Sequence, residues 1–112
     1  KREETRRIRD AVCERAESRC EACGSGNHYF PLELDHFFGR AKARQSAANC
    51  WMLCRGCHFR KTHNRPAPEL WAHAFIGHCE HYGFVAEAAA ARSRLAFIEA
   101  RGSLPAAPGG EP

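Results

Sequence analysis

The sequence predicts a small, mostly helical α+β domain tied together by paired cysteines, and three observations predict it. Cys20-x2-Cys23 and Cys54-x2-Cys57 stand thirty residues apart. Two short runs of extended character, 29–38 and 49–54, lie between or against those pairs, and apolar residues recur at helical spacing on either side of them. A length of 112 residues suits one domain. We assign it to residues 1–101, with a core at 20–64, two C-terminal helices at 68–101 and a disordered tail at 102–112.

The elements follow in order. Ile8, Val12 and Ala16 repeat every four residues among Arg, Glu and Asp, so 3–19 reads as an amphipathic helix. Gly24, just past Cys23, permits the backbone turn that lets amides face thiolates. Residues 29–38 read as extended chain despite Pro31, and 40–48, basic and rich in small residues, as a loop with a short helical turn. A second extended run covers 49–54, and a helix over 55–64 starts inside the second cysteine pair. Pro66 and Pro68 mark a linker, with Pro68 placed to open a helix over 69–82 that Gly83 closes. Phe84, Ala88, Ala91, Leu95 and Ile98 then form the seam of a last helix.

Composition narrows the function. Hydrophobic residues make up 44%, but Ala and Cys supply much of that, so the core is thin and needs a staple. The formal charge of +4 favours a polyanionic partner. Between residues 40 and 65 the chain carries Arg40, Lys42, Arg44, Arg55, Arg60, Lys61 and Arg65 and no Asp or Glu, which makes these seven the candidate phosphate contacts. No apolar run is long enough to span a membrane and no signal peptide is evident, so neither membrane nor secretion is expected. The odd cysteine count with two C-x2-C pairs indicates a metal site in a reducing compartment, which we take as the cytoplasm. The start at Lys1 without an initiator Met suggests a processed or trimmed N-terminus, with an upstream segment expected to be absent from this sequence.

Cys20, Cys23, Cys54 and Cys57 are the expected ligands of a structural zinc ion, because four thiolates complete a tetrahedron and leave no open position. Cys13, Cys50 and Cys79 have no partner at ligand spacing and read as small buried hydrophobes. Trp51 and Phe59, beside the knuckle cysteines, are expected in the core. Trp71, Phe75, Phe84, Leu95 and Ile98 are expected between the C-terminal helices. His73, His78 and His81 lack a neighbouring carboxylate and are not expected to build a second metal site.

A different chemistry gathers at Leu34-Asp35-His36, Asn49 and His58. Hydrolysis of a phosphodiester needs a base for water, and an imidazole with a pKa of about 6.5 serves at neutral pH, which suits His36. It also needs an electrophile at the leaving oxygen, and a divalent ion held by a carboxylate and an imidazole supplies one, which suits Asp35 and His58. Together with Cys20-x2-Cys23, Leu53-Cys54-x2-Cys57-His58 and Lys61-Thr62, these residues resemble the HNH nuclease family, also called ββα-metal or His-Me finger nucleases. The resemblance covers residues 20 to about 63. It implies a ββα-metal core and a metal-dependent endonuclease that cuts DNA, double-stranded by preference, leaving 3′-hydroxyl and 5′-phosphate ends. It also implies a bond from Asn49 across the loop that steadies the segment bearing His36.

Some family members carry a second metal-binding histidine four residues after the first. Here Thr62 holds that place and His63 follows it. Two protein ligands completed by water suit Mg²⁺ or Mn²⁺, with Ni²⁺ or Zn²⁺ as further candidates. The expected setting is a homodimer or a larger phage or restriction assembly. The competing expectation is a zinc-ribbon module that binds nucleic acid or protein without cutting, and Asp35 with His36 is what such a binder does not need.

Overall fold

The structure, a computed structural model, describes residues 2–26, 29–39 and 45–101. Helix α1 (Arg2–Ala16) leads to a two-stranded antiparallel sheet of β1 (Glu33–His36) and β2 (Cys50–Leu53). Helices α2 (Arg55–Thr62), α3 (Pro68–Tyr82) and α4 (Val85–Ala100) follow. The chain divides into two compact units, residues 1–59 and 60–112.

In the first unit the four-residue repeat of α1 does what its spacing predicts. Ile8, Val12 and Ala16 are buried and pack with Leu34, Cys50 and Met52 of the sheet. The helix stops short of residue 19 because Glu17 and Ser18 both take left-handed backbone angles, φ 53° and 63°. Side-chain-bearing residues seldom adopt that region, and here it turns the chain from helix into knuckle.

The strands are shorter than the extended runs that suggested them, four residues each, paired Glu33 to Leu53 through His36 to Cys50. A strand extends only as far as its partner, and β2 is bounded by a 3-10 turn at Ala47–Asn49 and by Cys54. Pro31, which has no N–H to give a ladder, lies outside it with exposed Tyr29 and Phe30. Alternation sends Leu34 and Met52 toward α1, while Glu33, Asp35, Trp51 and Leu53 share the other face. The predicted loop at 40–44 and the tail from 102 lie outside the described residues.

The second unit is built on α3 and α4. Pro68 stands at the start of α3 and Gly83, at φ 77°, ends it, its N–H capping the carbonyls of Cys79 and Glu80. Trp71, Ala72, Phe75 and Cys79 of α3 are buried, as are Ala88, Ala91 and Ile98 of α4. The indole N–H of Trp71 donates to the Arg65 carbonyl at 2.8 Å, tying the linker to α3. Among the described residues, no helix is long and apolar enough to cross a membrane.

Candidate metal centre

The four knuckle cysteines converge. Their sulfurs all lie within 4.8 Å of one another, close enough to hold a metal ion. Cys20, Cys54 and Cys57 are buried and Cys23 is exposed. The two pairs are built alike: the Cys23 N–H points at the Cys20 sulfur and the Cys57 N–H at the Cys54 sulfur, both at 3.4 Å. Gly24 completes the first turn at φ 80°, donating to the Cys20 carbonyl at 2.8 Å.

The electrostatics of the cluster favour a cation. Burial opposes charge on Cys20, but backbone amides of Cys23, Cys54 and Ala22 outweigh it and hold that thiol below its ordinary value. Burial pushes Cys57 up, helped by its neighbours Cys54 and Cys20, and burial likewise raises Cys23. The Cys20 thiolate is stabilised, and Cys23 and Cys57 resist ionising beside it. A divalent cation among the four removes that repulsion, and zinc fits a four-sulfur tetrahedron.

Two residues that sequence reasoning passes over hold the first knuckle on the sheet. Glu21, between the thiolates, donates its N–H to the Met52 carbonyl at 2.7 Å and accepts the Met52 N–H on its carboxylate at 2.9 Å. Arg15 grips the same carboxylate through two bonds of 2.8 and 2.9 Å, and reaches the carbonyls of Ala47 and Cys50. Their side chains are 13% and 4% exposed, so this is a largely desolvated pair. Its sequence signal is faint: an arginine at the edge of an apolar stripe, and an acid inside a knuckle.

On the far face of the sheet, β1 and α2 bring Asp35 and His58 together. The His58 Nε2 lies 3.4 Å from Asp35 Oδ1, and its Nδ1 lies 2.6 Å from Glu33 Oε1. Asp35 is buried, and its Oδ2 accepts the Trp51 indole N–H at 2.9 Å from the residue directly across the ladder. The Nδ1 edge of the ring is thus engaged by Glu33, and the Nε2 edge faces Asp35. Glu33 was not among the expected site residues. The signal available was its position two before Asp35, which places both carboxylates on one face of a strand.

No family model, curated protein or solved structure matches this chain. Its function must therefore be read from its own residues.

His36 ends β1 and is buried. Asn49 is buried at the end of the 3-10 turn, and its main-chain carbonyl accepts the Phe37 N–H at 3.0 Å. Of the basic candidates, Arg55 is exposed at the start of α2 and its guanidinium carbon lies 4.2 Å from the Phe30 ring centre. Arg60 and Arg65 are exposed and Lys61 half-buried, in the second unit. Arg40, Lys42 and Arg44 lie outside the described residues.

Thr62 and His63 are exposed, His63 just beyond the last turn of α2. Trp51 is fully buried as expected, but Phe59 is 53% exposed, because α2 turns that position outward while Cys57 points in. Cys13 is also exposed, one helical step round from Val12, whereas Cys50 and Cys79 are buried as expected.

Proposed function

We propose that this chain is a metal-dependent endonuclease of the HNH type, with a ββα-metal core formed by β1, β2 and α2. The observation that carries the reading is the pair Asp35–His58. Two groups bound to one ion at about 2.1 Å each stand roughly 3.0–3.5 Å apart at bond angles between octahedral and tetrahedral. The 3.4 Å between Nε2 and Oδ1 falls in that range. The same pair is oriented from behind by Glu33 and Trp51, as metal ligands commonly are.

In this reading Asp35 and His58 hold a divalent ion, Mg²⁺ or Mn²⁺ for a site of two protein ligands and water. When bound, such an ion offsets the charge that builds on the phosphate and on the departing 3′-oxygen. His36 takes the proton of the attacking water at an imidazole nitrogen, and the oxygen of that water bonds to phosphorus as the 3′-oxygen leaves and takes up a proton from solvent water. The products are a 3′-hydroxyl and a 5′-phosphate. Asn49 fixes the far side of the loop that follows His36, and the arginines and lysines contact the phosphates of a DNA strand. The four cysteines hold a structural zinc that takes no part in the reaction.

One observation favours a second reading, a zinc-ribbon module that binds without cutting. A doubly protonated His58 could bond to Glu33 and Asp35 at once, closing the site as an ion pair. Relaxation of supercoiled plasmid distinguishes the two. With Mg²⁺, Mn²⁺ or Ni²⁺ the wild type should nick, and His36→Ala should lose about 10²–10⁴-fold of the rate. No nicking with any metal, or equal nicking by both proteins, would reject the nuclease.

A further inference from the structure

A surface of the first unit, used neither by the zinc cluster nor by the Asp35–His58 pair, combines a basic row, an apolar pocket and exposed aromatic rings. Arg2, Arg6 and Arg9 follow one another at helical spacing along α1, on the flank beside its buried stripe, and line a shallow groove with Thr5. Glu3, Asp10 and Glu14 fall on the next face round the helix. At the Arg9 end the row opens into a cavity of about 430 Å³, lined by Arg9, Cys13, Phe30, Pro31, Leu32 and Met52. Cavities of roughly 300–1,000 Å³ commonly take small organic groups.

Beyond the cavity stand Tyr29, 94% exposed, and Phe30, 45% exposed, edge to face with ring centres 5.0 Å apart. Large rings left in water cost free energy, and their cluster beside a positive row calls for an occupant with flat apolar faces and negative charge. Arg55, one helical turn before His58, lies over Phe30, so the surface runs on toward the candidate site.

We propose that this surface binds an unpaired stretch of nucleic acid, with a base taken against Phe30 and Tyr29 at the cavity and the following phosphates along Arg9, Arg6 and Arg2. Base faces are available to aromatic side chains only where the strand is unpaired. Seven residues of α1 separate Arg2 from Arg9, about 10 Å of helix axis, or some three nucleotides of stacked strand. Ser18 adds a polar group to the cavity lining. The inference deepens the nucleic-acid reading above and depends on it for the class of partner, though not on hydrolysis. It gives the unit a preference for unpaired strand, in a frayed or flapped duplex or in the locally opened stretches of a supercoiled plasmid, over fully paired duplex.

The test is anisotropy of a labelled oligothymidylate and of a duplex of equal length, titrated with the zinc-loaded full chain without added Mg²⁺ or Mn²⁺. The single strand should bind more tightly than the duplex. Phe30→Ala and Phe30→Leu should each weaken it about tenfold or more, although leucine keeps the apolar volume. Arg6→Gln and Arg9→Gln should each flatten the salt dependence by about 0.7 in log–log slope. Tyr29→Ala, at a fully exposed position, serves as a variant that cannot disturb the core, and it too should weaken binding while zinc content stays unchanged. Equal binding of duplex, wild-type affinity in Phe30→Leu and Tyr29→Ala, or phosphatidylserine vesicles bound in place of the oligonucleotide would overturn the proposal. Because the readout is binding, a chain that never nicks plasmid can still pass, and one that nicks normally can still fail.

Discussion

At the scale of single residues, His58 takes its meaning from Glu33. A ring engaged at its Nδ1 edge by a carboxylate presents its Nε2 edge in one direction, here toward Asp35. Groups that orient a ligating histidine in this way commonly carry about 10–100-fold of metal affinity. Calorimetric titration of the zinc-loaded protein with Mn²⁺ should therefore show Glu33→Ala weakened by that factor. Glu33→Gln, which keeps an acceptor without the charge, should fall between it and the wild type. Unchanged affinity in both variants would make Glu33 a bystander. Asp35 and His58 were legible as a pair from their types and spacing, and they stand 3.4 Å apart. Glu33 and Trp51 were not, because their roles arise from the ladder register and the helix face, which no local pattern displays.

At the scale of elements, sequence pattern located the helices and β2 well and β1 poorly. The apolar repeat of α1, the Pro68 start and the Gly83 stop of α3 are local signals, each sufficient by itself. A strand is defined by its partner, so the extended run at 29–38 overstated β1, and Tyr29 with Phe30 fell outside the sheet. The joint between α1, the first knuckle and β2 was equally hidden, since it rests on Arg15 and Glu21 reaching main-chain groups far away in sequence. Glu21→Ala would leave the Arg15 guanidinium largely desolvated without its counter-charge and the Met52 N–H without its acceptor. A cost of about 3–5 kcal/mol is expected in urea unfolding of the zinc-loaded protein. A loss under about 1 kcal/mol, ordinary for a solvated surface pair, would show that the pair does not hold the knuckle.

At the scale of the whole molecule, a thin core is compensated by the cysteine cluster, which joins the chain before β1 to the chain after β2. Zinc must displace protons from thiols, and burial holds those of Cys57 and Cys23 above their ordinary values. Acid therefore competes with the metal: affinity should be full at alkaline pH and fall as pH drops, with protons released on zinc uptake. Zinc titrations against a colorimetric chelator at several pH values would check the sign, and pH-independent affinity would contradict it. The spacing of the cysteines made this centre readable from sequence. The division of the chain near residue 59 was not, because the break falls within α2.

In the proposed reading an open cation site at Asp35 and His58 stands apart from the four-cysteine site. The most direct measurement is Mn²⁺ binding to zinc-loaded wild type, His58→Ala and His36→Ala. A manganese ion should bind in addition to the zinc, be lost in His58→Ala with zinc retained, and persist in His36→Ala, which leaves both proposed ligands in place. No manganese uptake by the wild type, or equal uptake by His58→Ala, would contradict the account.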